Sequence, residues 1–289
     1  MTHTTSRFTH KAEKSAMSTA KRNAARPWVQ WLERFGFLIR GAIYIIIGLL
    51  ALELAIGAGG AATSPTSAIA LMGRQPAGKV VLAVIAVGLA GYALWGFVRA
   101  ILDPLGRGTD TKGLIDRAGF LFSGISYAAL LIPTVLTLLD KPGGSAQGSM
   151  PGLPATLTAG PTGKWLVIAF GIFWIGAGVG QLVAAYTAHF LRDLKTATMS
   201  AQEIKTATWL GKFGYTARGI VFALIGLLIL QNTSSAGGKA PGFEAALDAL
   251  ARAPKGEILL GAVALGLILF GVYSAMCAKW NKIGTRRPA

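Results

Sequence analysis

Charge is what this sequence has least of. Only 14% of its 289 residues are Asp, Glu, Lys or Arg, against about 25% in a soluble domain. Acids are the scarcer sign, at 12. Such a chain cannot coat itself for water, which excludes an ordinary soluble globule. A single cysteine, Cys277, excludes an intrachain disulfide framework and a cysteine-built zinc site. Its expected role is a small apolar filler. Of the three histidines, His3 and His10 lie in the N-terminal tail and His189 stands alone far downstream. No HExxH, GxSxG or P-loop pattern occurs. No catalytic residue, metal site or cofactor is therefore expected, and the chain does not read as an enzyme. Asp103, Asp110, Asp116, Asp193 and Glu203 stand beside Lys and Arg in loops and read as solvated ion pairs.

What is present is apolar. Hydrophobic residues make up 53% of the chain, and the mean hydropathy is +0.53. A helix needs about 20 apolar residues to cross a bilayer core of roughly 30 Å. Six runs fit, at residues 35–58, 79–100, 117–139, 165–189, 213–231 and 257–279. If all six cross, 19 of the 28 Lys and Arg fall on the side that holds both termini. Seven fall on the other side, and Arg40 and Arg218 lie inside spans. A basic excess marks the cytoplasm, so both termini are expected there. The net charge of +16 then serves orientation and attraction to anionic lipid headgroups on the cytoplasmic side. No folded basic module is present, so nucleic acid is not an expected partner. Residues 1–27 read as a disordered basic tail. Trp28 and Trp31 before the first span, and Trp209 before the fifth, suit the headgroup layer.

The spans repeat in pairs. RFGFLIRGAIYIIIGLL (Arg34–Leu50) returns as RAGFLFSGISYAALLIP (Arg117–Pro133) and KFGYTARGIVFALIGLL (Lys212–Leu228). Each has a glycine, a second glycine five residues later, and an aromatic three beyond that. Before the even spans, Ser67–Lys79 lies over Ala245–Glu257, with Pro76 and Gly78 matching Pro254 and Gly256. Ile69, Met72, Leu247 and Leu250 give both stretches helical spacing, and each reads as a short amphipathic helix on the outer surface. In the middle copy Pro161 and Gly163 survive, but extra prolines in 151–164 oppose a helix, and 141–150 reads as flexible. The expected fold is all-α, a six-helix transmembrane bundle of three like-oriented hairpins, pseudo-threefold about the membrane normal. Their ranges are 28–112, 113–205 and 206–289, the last with a short C-terminal tail.

The triple unit resembles the bacterial membrane-protein family called domain of unknown function 1206, which has a pair of membrane helices occurring three times. The resemblance covers Trp31–Lys279. It rests on Gly36/Gly41, Gly119/Gly124 and Gly214/Gly219, on Arg40 and Arg218, and on Tyr44, Tyr127 and Phe222. Copy two departs, with Ser123 in place of Arg, and Leu131 where the others have Gly48 and Gly226. It implies a bacterial inner-membrane location and no particular activity.

Arg40 and Arg218 are the sharpest candidates for a site. One reading is snorkelling, with each guanidinium reaching back to lipid phosphates. The other brings both into one vestibule that binds a phosphate or carboxylate. Tyr44 and Phe222, four residues on, share a helix face with their own arginine and are expected to hold its stem or stack on it. Glu53 is read as the one acid well inside a span, either exposed at the interface or a buried proton- or cation-linked site. Gln181 and Gln231 read as interhelical hydrogen-bond partners. Gly36, Gly41, Gly48, Gly119, Gly124, Gly176, Gly180, Gly214, Gly219 and Gly226 are expected to be packing glycines that let helices approach closely. Two functions stay open. The first is a non-enzymatic structural or lipid-associated membrane protein, with homo-oligomerisation compatible. The second is a small transporter or channel with a central anion or headgroup site near Arg40 and Arg218.

Overall fold

Pro27 opens the first long helix, where its missing N–H and fixed φ suit a first turn. The computed structural model describes residues 27–103, 107–140, 161–231 and 242–282. The expectations for residues 1–26, 141–150 and 151–160 lie outside these. Among the described residues eight α-helices follow in chain order: α1 (Pro27–Ala55), α2 (Pro65–Gly73), α3 (Gly78–Leu102), α4 (Thr111–Leu138), α5 (Pro161–Thr187), α6 (Ala201–Gln231), α7 (Phe243–Ala251) and α8 (Gly256–Trp280). Two short 3-10 turns, His189–Asp193 and Thr196–Thr198, join α5 to α6.

Six of the helices, α1, α3, α4, α5, α6 and α8, are long and apolar enough to cross a membrane. They coincide with the six expected spans, but α1, α4 and α6 start six or more residues earlier. Thr111–Leu138 remains one helix although Pro133 lies inside it. The hydroxyl of Thr137 donates to the Pro133 carbonyl at 2.8 Å. Trp31 and Trp209, near the starts of α1 and α6, are exposed as a headgroup-level indole should be.

α2 and α7 are the two short helices expected before the even spans. They do not simply lie on a surface. Ala68 and Ile69 of α2, and Phe243, Ala246, Leu247 and Leu250 of α7, are buried in the bundle. Both copies end in the same turn. Ala77 and Lys255 adopt the left-handed conformation, at φ 62° and 58°. A Cβ on the following Gly78 or Gly256 would run into the backbone of Gly73 or Ala251. The glycine shared by the two copies is thus a steric requirement of a tight re-entry.

The tightest packing lies between hairpins. α8 packs along α1, α5 along α6, and α3 along α4, with lesser seams of α8 on α6 and α1 on α3. The backbones of α4 and α5 scarcely meet among the described residues. The three hairpins are therefore not packed equivalently, and these contacts do not show the expected pseudo-threefold symmetry. The close seams are glycine contacts. A Cβ on Gly41 would sit 2.7 Å from the Gly271 carbonyl oxygen, and one on Gly226 would sit 2.6 Å from the Gly171 carbonyl oxygen. Gly36, Gly48, Gly124, Gly214 and Gly219 likewise face a neighbouring helix closely. Three expected packing glycines do not. Nothing lies within 4 Å of a Cβ built on Gly119, Gly176 or Gly180. They belong to α4 and α5, the pair that stands apart, and they leave space where the others close it.

Candidate functional site

That space is part of a cavity of about 990 Å³ running through the bundle. At one end it reaches Ser64–Thr66 at the start of α2, and Phe243 of α7. At the other end it reaches Arg107, Asp193 and Asn281. Equivalent repeat positions converge on it. Arg40, Ser123 and Arg218, each four residues after a starting glycine, all line it, and so do Tyr44, Tyr127 and Phe222.

Arg40 is buried, with 6% exposure, so it does not snorkel. Its Nε donates to Ser274 Oγ at 2.7 Å, and that hydroxyl donates to the Phe37 carbonyl at 2.8 Å. Its Nη1 donates to the Tyr92 hydroxyl. The guanidinium carbon lies 4.7, 4.8 and 5.1 Å from the ring centroids of Phe37, Tyr92 and Phe270. Arg218 is half-buried. Its guanidinium carbon lies 4.4 Å from Phe270, 5.0 Å from Phe222 and 5.3 Å from Tyr44. Its Nε is buried with no hydrogen-bond partner among the described residues. Among those residues neither arginine is within 4 Å of a carboxylate.

Two expectations change in detail. Phe222 does hold its own i−4 arginine, but Tyr44 lies under Arg218 of another repeat and not under Arg40. Glu53 is exposed and does not line the cavity. It stands near the end of α1 far from Arg40, as their separation along one helix requires.

A second polar cluster stands at the end of the cavity where α1 begins and α8 ends. Glu33, 1% exposed, accepts from Arg99 Nη2 at 2.8 Å and from Asn281 Nδ2 at 2.6 Å. Arg99 also lies 5.2 Å from the rings of Trp95 and Phe120. Beside it Arg107 pairs with Asp193 and, at 3.5 Å, with Asp116, which is 3.6 Å from His189 Nε2. Asp116 and Asp193 are thus partly enclosed, not freely solvated as expected. Glu33 escaped the sequence reading because α1 starts at Pro27, so this acid lies in the helix and not before it. One signal was available: Glu33 and Asp116 both stand three residues before a starting glycine.

Tyr92, Phe270 and Ser274 were also missed. They become visible once the even spans are aligned on Gly78, Gly163 and Gly256. Tyr92, Ala177 and Phe270 are then equivalent, as are Gly96, Gln181 and Ser274. The middle copy has the short side chains Ser123 and Ala177 where the outer copies have arginine and an aromatic. Gln181 lines the cavity, and its buried Oε1 has no hydrogen-bond partner among the described residues. No group of three or more His, Cys, Asp or Glu is placed to hold a metal among the described residues.

The sequence pattern of the family described as Domain of Unknown Function (DUF1206) fits this chain three times, at residues 35–103, 118–188 and 213–281. Each match covers one pair of long helices. The chain is also similar to the uncharacterized protein YxxB of Bacillus subtilis (strain 168), at 32% identity over 253 residues, which is 87% of this chain and 90% of the relative. No solved structure matches.

Proposed function

The chain belongs to the DUF1206 family and is a multi-pass membrane protein; from its interior we propose that it binds an anion at Arg40 and Arg218 and does not catalyse a reaction. The observation that carries this reading is the absence of a carboxylate beside either guanidinium among the described residues. A cation within a membrane helix costs up to about 3 kcal/mol on insertion scales. Aromatic faces return part of that, about 2 kcal/mol for a desolvated pair. Two like charges stacked on one ring also repel each other. An anion in the cavity would offset both costs, and guanidinium forks match a phosphate or carboxylate in shape. The contacts given for the two guanidiniums are aromatic rings and the hydroxyls of Ser274 and Tyr92, which position a ligand.

The proposed setting is a bacterial inner membrane, with the Glu33–Arg99 end and both termini in the cytoplasm, as the basic excess on that side supports. The test is thermal unfolding of the purified chain in a neutral detergent with increasing inorganic phosphate or acetate. Wild type should gain stability with either anion beyond the gain given by matched chloride. Arg40→Ala with Arg218→Ala should abolish that gain, while Arg218→Lys should keep part of it. An identical gain in the double variant would reject the site.

A further inference from the structure

We propose that the anion is the headgroup of a membrane amphiphile whose acyl tail lies in the cleft between α4 and α5, and that it enters sideways from the bilayer. The inference rests on the anion-binding reading above and adds to it the class of ligand and its route.

The cleft is where the bundle is least closed. In the apolar windows of α4 and α5 only 17% of residues are buried, against 44–50% in the other four spans. Ile125, Ile132 and Phe173 line the cavity and yet are 53%, 63% and 45% exposed. The cavity therefore meets the outer surface of the bundle through its hydrocarbon-facing belt. Gly176 and Gly180 widen that mouth, since neither backs onto a neighbour. Further in, Ser123 and Ala177 leave open what arginine and aromatic side chains fill in the outer copies. Phe122 reaches across the cleft, with ring centroids 4.9 Å from Phe173 and 5.4 Å from Trp174.

The polarity of the cavity follows the same line. Its mouth is aliphatic and aromatic, and its deep wall carries the two guanidiniums. A small hydrated ion would have to shed its water at an apolar mouth. An amphiphile need not, because its tail exchanges one hydrocarbon surface for another while its head moves to the cations. At the opposite end Arg107 and Asp193 are 13% and 27% exposed, so a water-soluble anion can approach there without using the cleft. Charge also selects the amphiphile: two cations without carboxylates favour an anionic headgroup over a zwitterionic one.

The full-length chain in a neutral detergent is titrated with dioleoyl phosphatidylglycerol, dioleoyl phosphatidylcholine and water-soluble glycerol phosphate, with the melting temperature as readout. Phosphatidylglycerol should raise it most, glycerol phosphate only at far higher concentration, and phosphatidylcholine not at all. Gly176→Leu with Gly180→Leu should fold, since both positions are open. It should weaken the phosphatidylglycerol response at least tenfold and leave the glycerol phosphate response unchanged. Equal potency of glycerol phosphate and phosphatidylglycerol, or an unaltered lipid response in the filled-cleft variant, overturns the lateral route while leaving the anion site standing. No response to either anion overturns both readings. A wild-type dimer that the cleft-filling pair converts to monomer assigns the cleft to a second copy and overturns the amphiphile.

Discussion

Arg40 and Arg218, from the first and third repeats, stack on one ring. Phe270 is wholly buried, and its centroid is 5.1 Å from one guanidinium carbon and 4.4 Å from the other. Two cations sharing one quadrupole tie the outer hairpins together and hold their charges toward the same cavity. Phe270→Leu should destabilise the protein by more than lost area alone. In a double-mutant cycle with Arg218→Met, the coupling should be about 1–2 kcal/mol. Unfolding of the four variants in mixed micelles measures it, and a coupling near zero would remove the ring from the account of the arginines.

The Glu33–Arg99 pair should show the asymmetry of a buried ion pair. Glu33→Ala strands Arg99 and should cost about 3–5 kcal/mol. Glu33→Leu combined with Arg99→Met removes both charges and should cost less than either single change. The same unfolding assay ranks the three variants. A double variant worse than both singles would contradict the pairing described.

Glycines divide into two classes by what faces them. Gly41→Ala must push its Cβ against the Gly271 carbonyl, and Gly271→Ala must do the same against the Gly41 carbonyl, at 2.6 Å. Each should cost about 1–3 kcal/mol. Gly176→Ala meets nothing and should be neutral or stabilising by up to about 1 kcal/mol, through helix propensity. If Gly176→Ala were as harmful as Gly41→Ala, the cleft would be closed in the membrane.

Sidedness can be read with a thiol label, because Cys277 is buried. Lys205 and Lys255 are both exposed, at opposite ends of the bundle. In intact cells a membrane-impermeant maleimide should label Lys255→Cys and leave Lys205→Cys unlabelled until the cells are opened. The reverse pattern would place the termini outside.

The sequence carried the number of long helices, their pairing and the convergence of repeat positions, because these depend on length and on copied residues. It did not carry which face of each helix is inside. In lipid the outer face is as apolar as the core, so periodicity loses the contrast it has in water. That is why Gly176 and Gly180 read like Gly219 and Gly226, though the first pair borders a gap and the second a seam. It is also why Gly178, which packs α5 onto α6 with a would-be Cβ 2.7 Å from the Gly219 carbonyl oxygen, was passed over. Tyr44 shows a further limit: helical spacing placed it beside Arg40, but the ring is used across a helix boundary by Arg218. Glu33 turned on a helix start eight residues earlier than the apolar run indicated.

The short side chains at Ser123 and Ala177 have an architectural consequence. Three faithful copies would crowd the centre with three cations and three large rings, leaving a plugged column. On the lateral route proposed above, divergence in one copy leaves the outer two as scaffold and makes the third the doorway. Ser123→Arg with Ala177→Phe would be expected to fill that space and abolish the phosphatidylglycerol response.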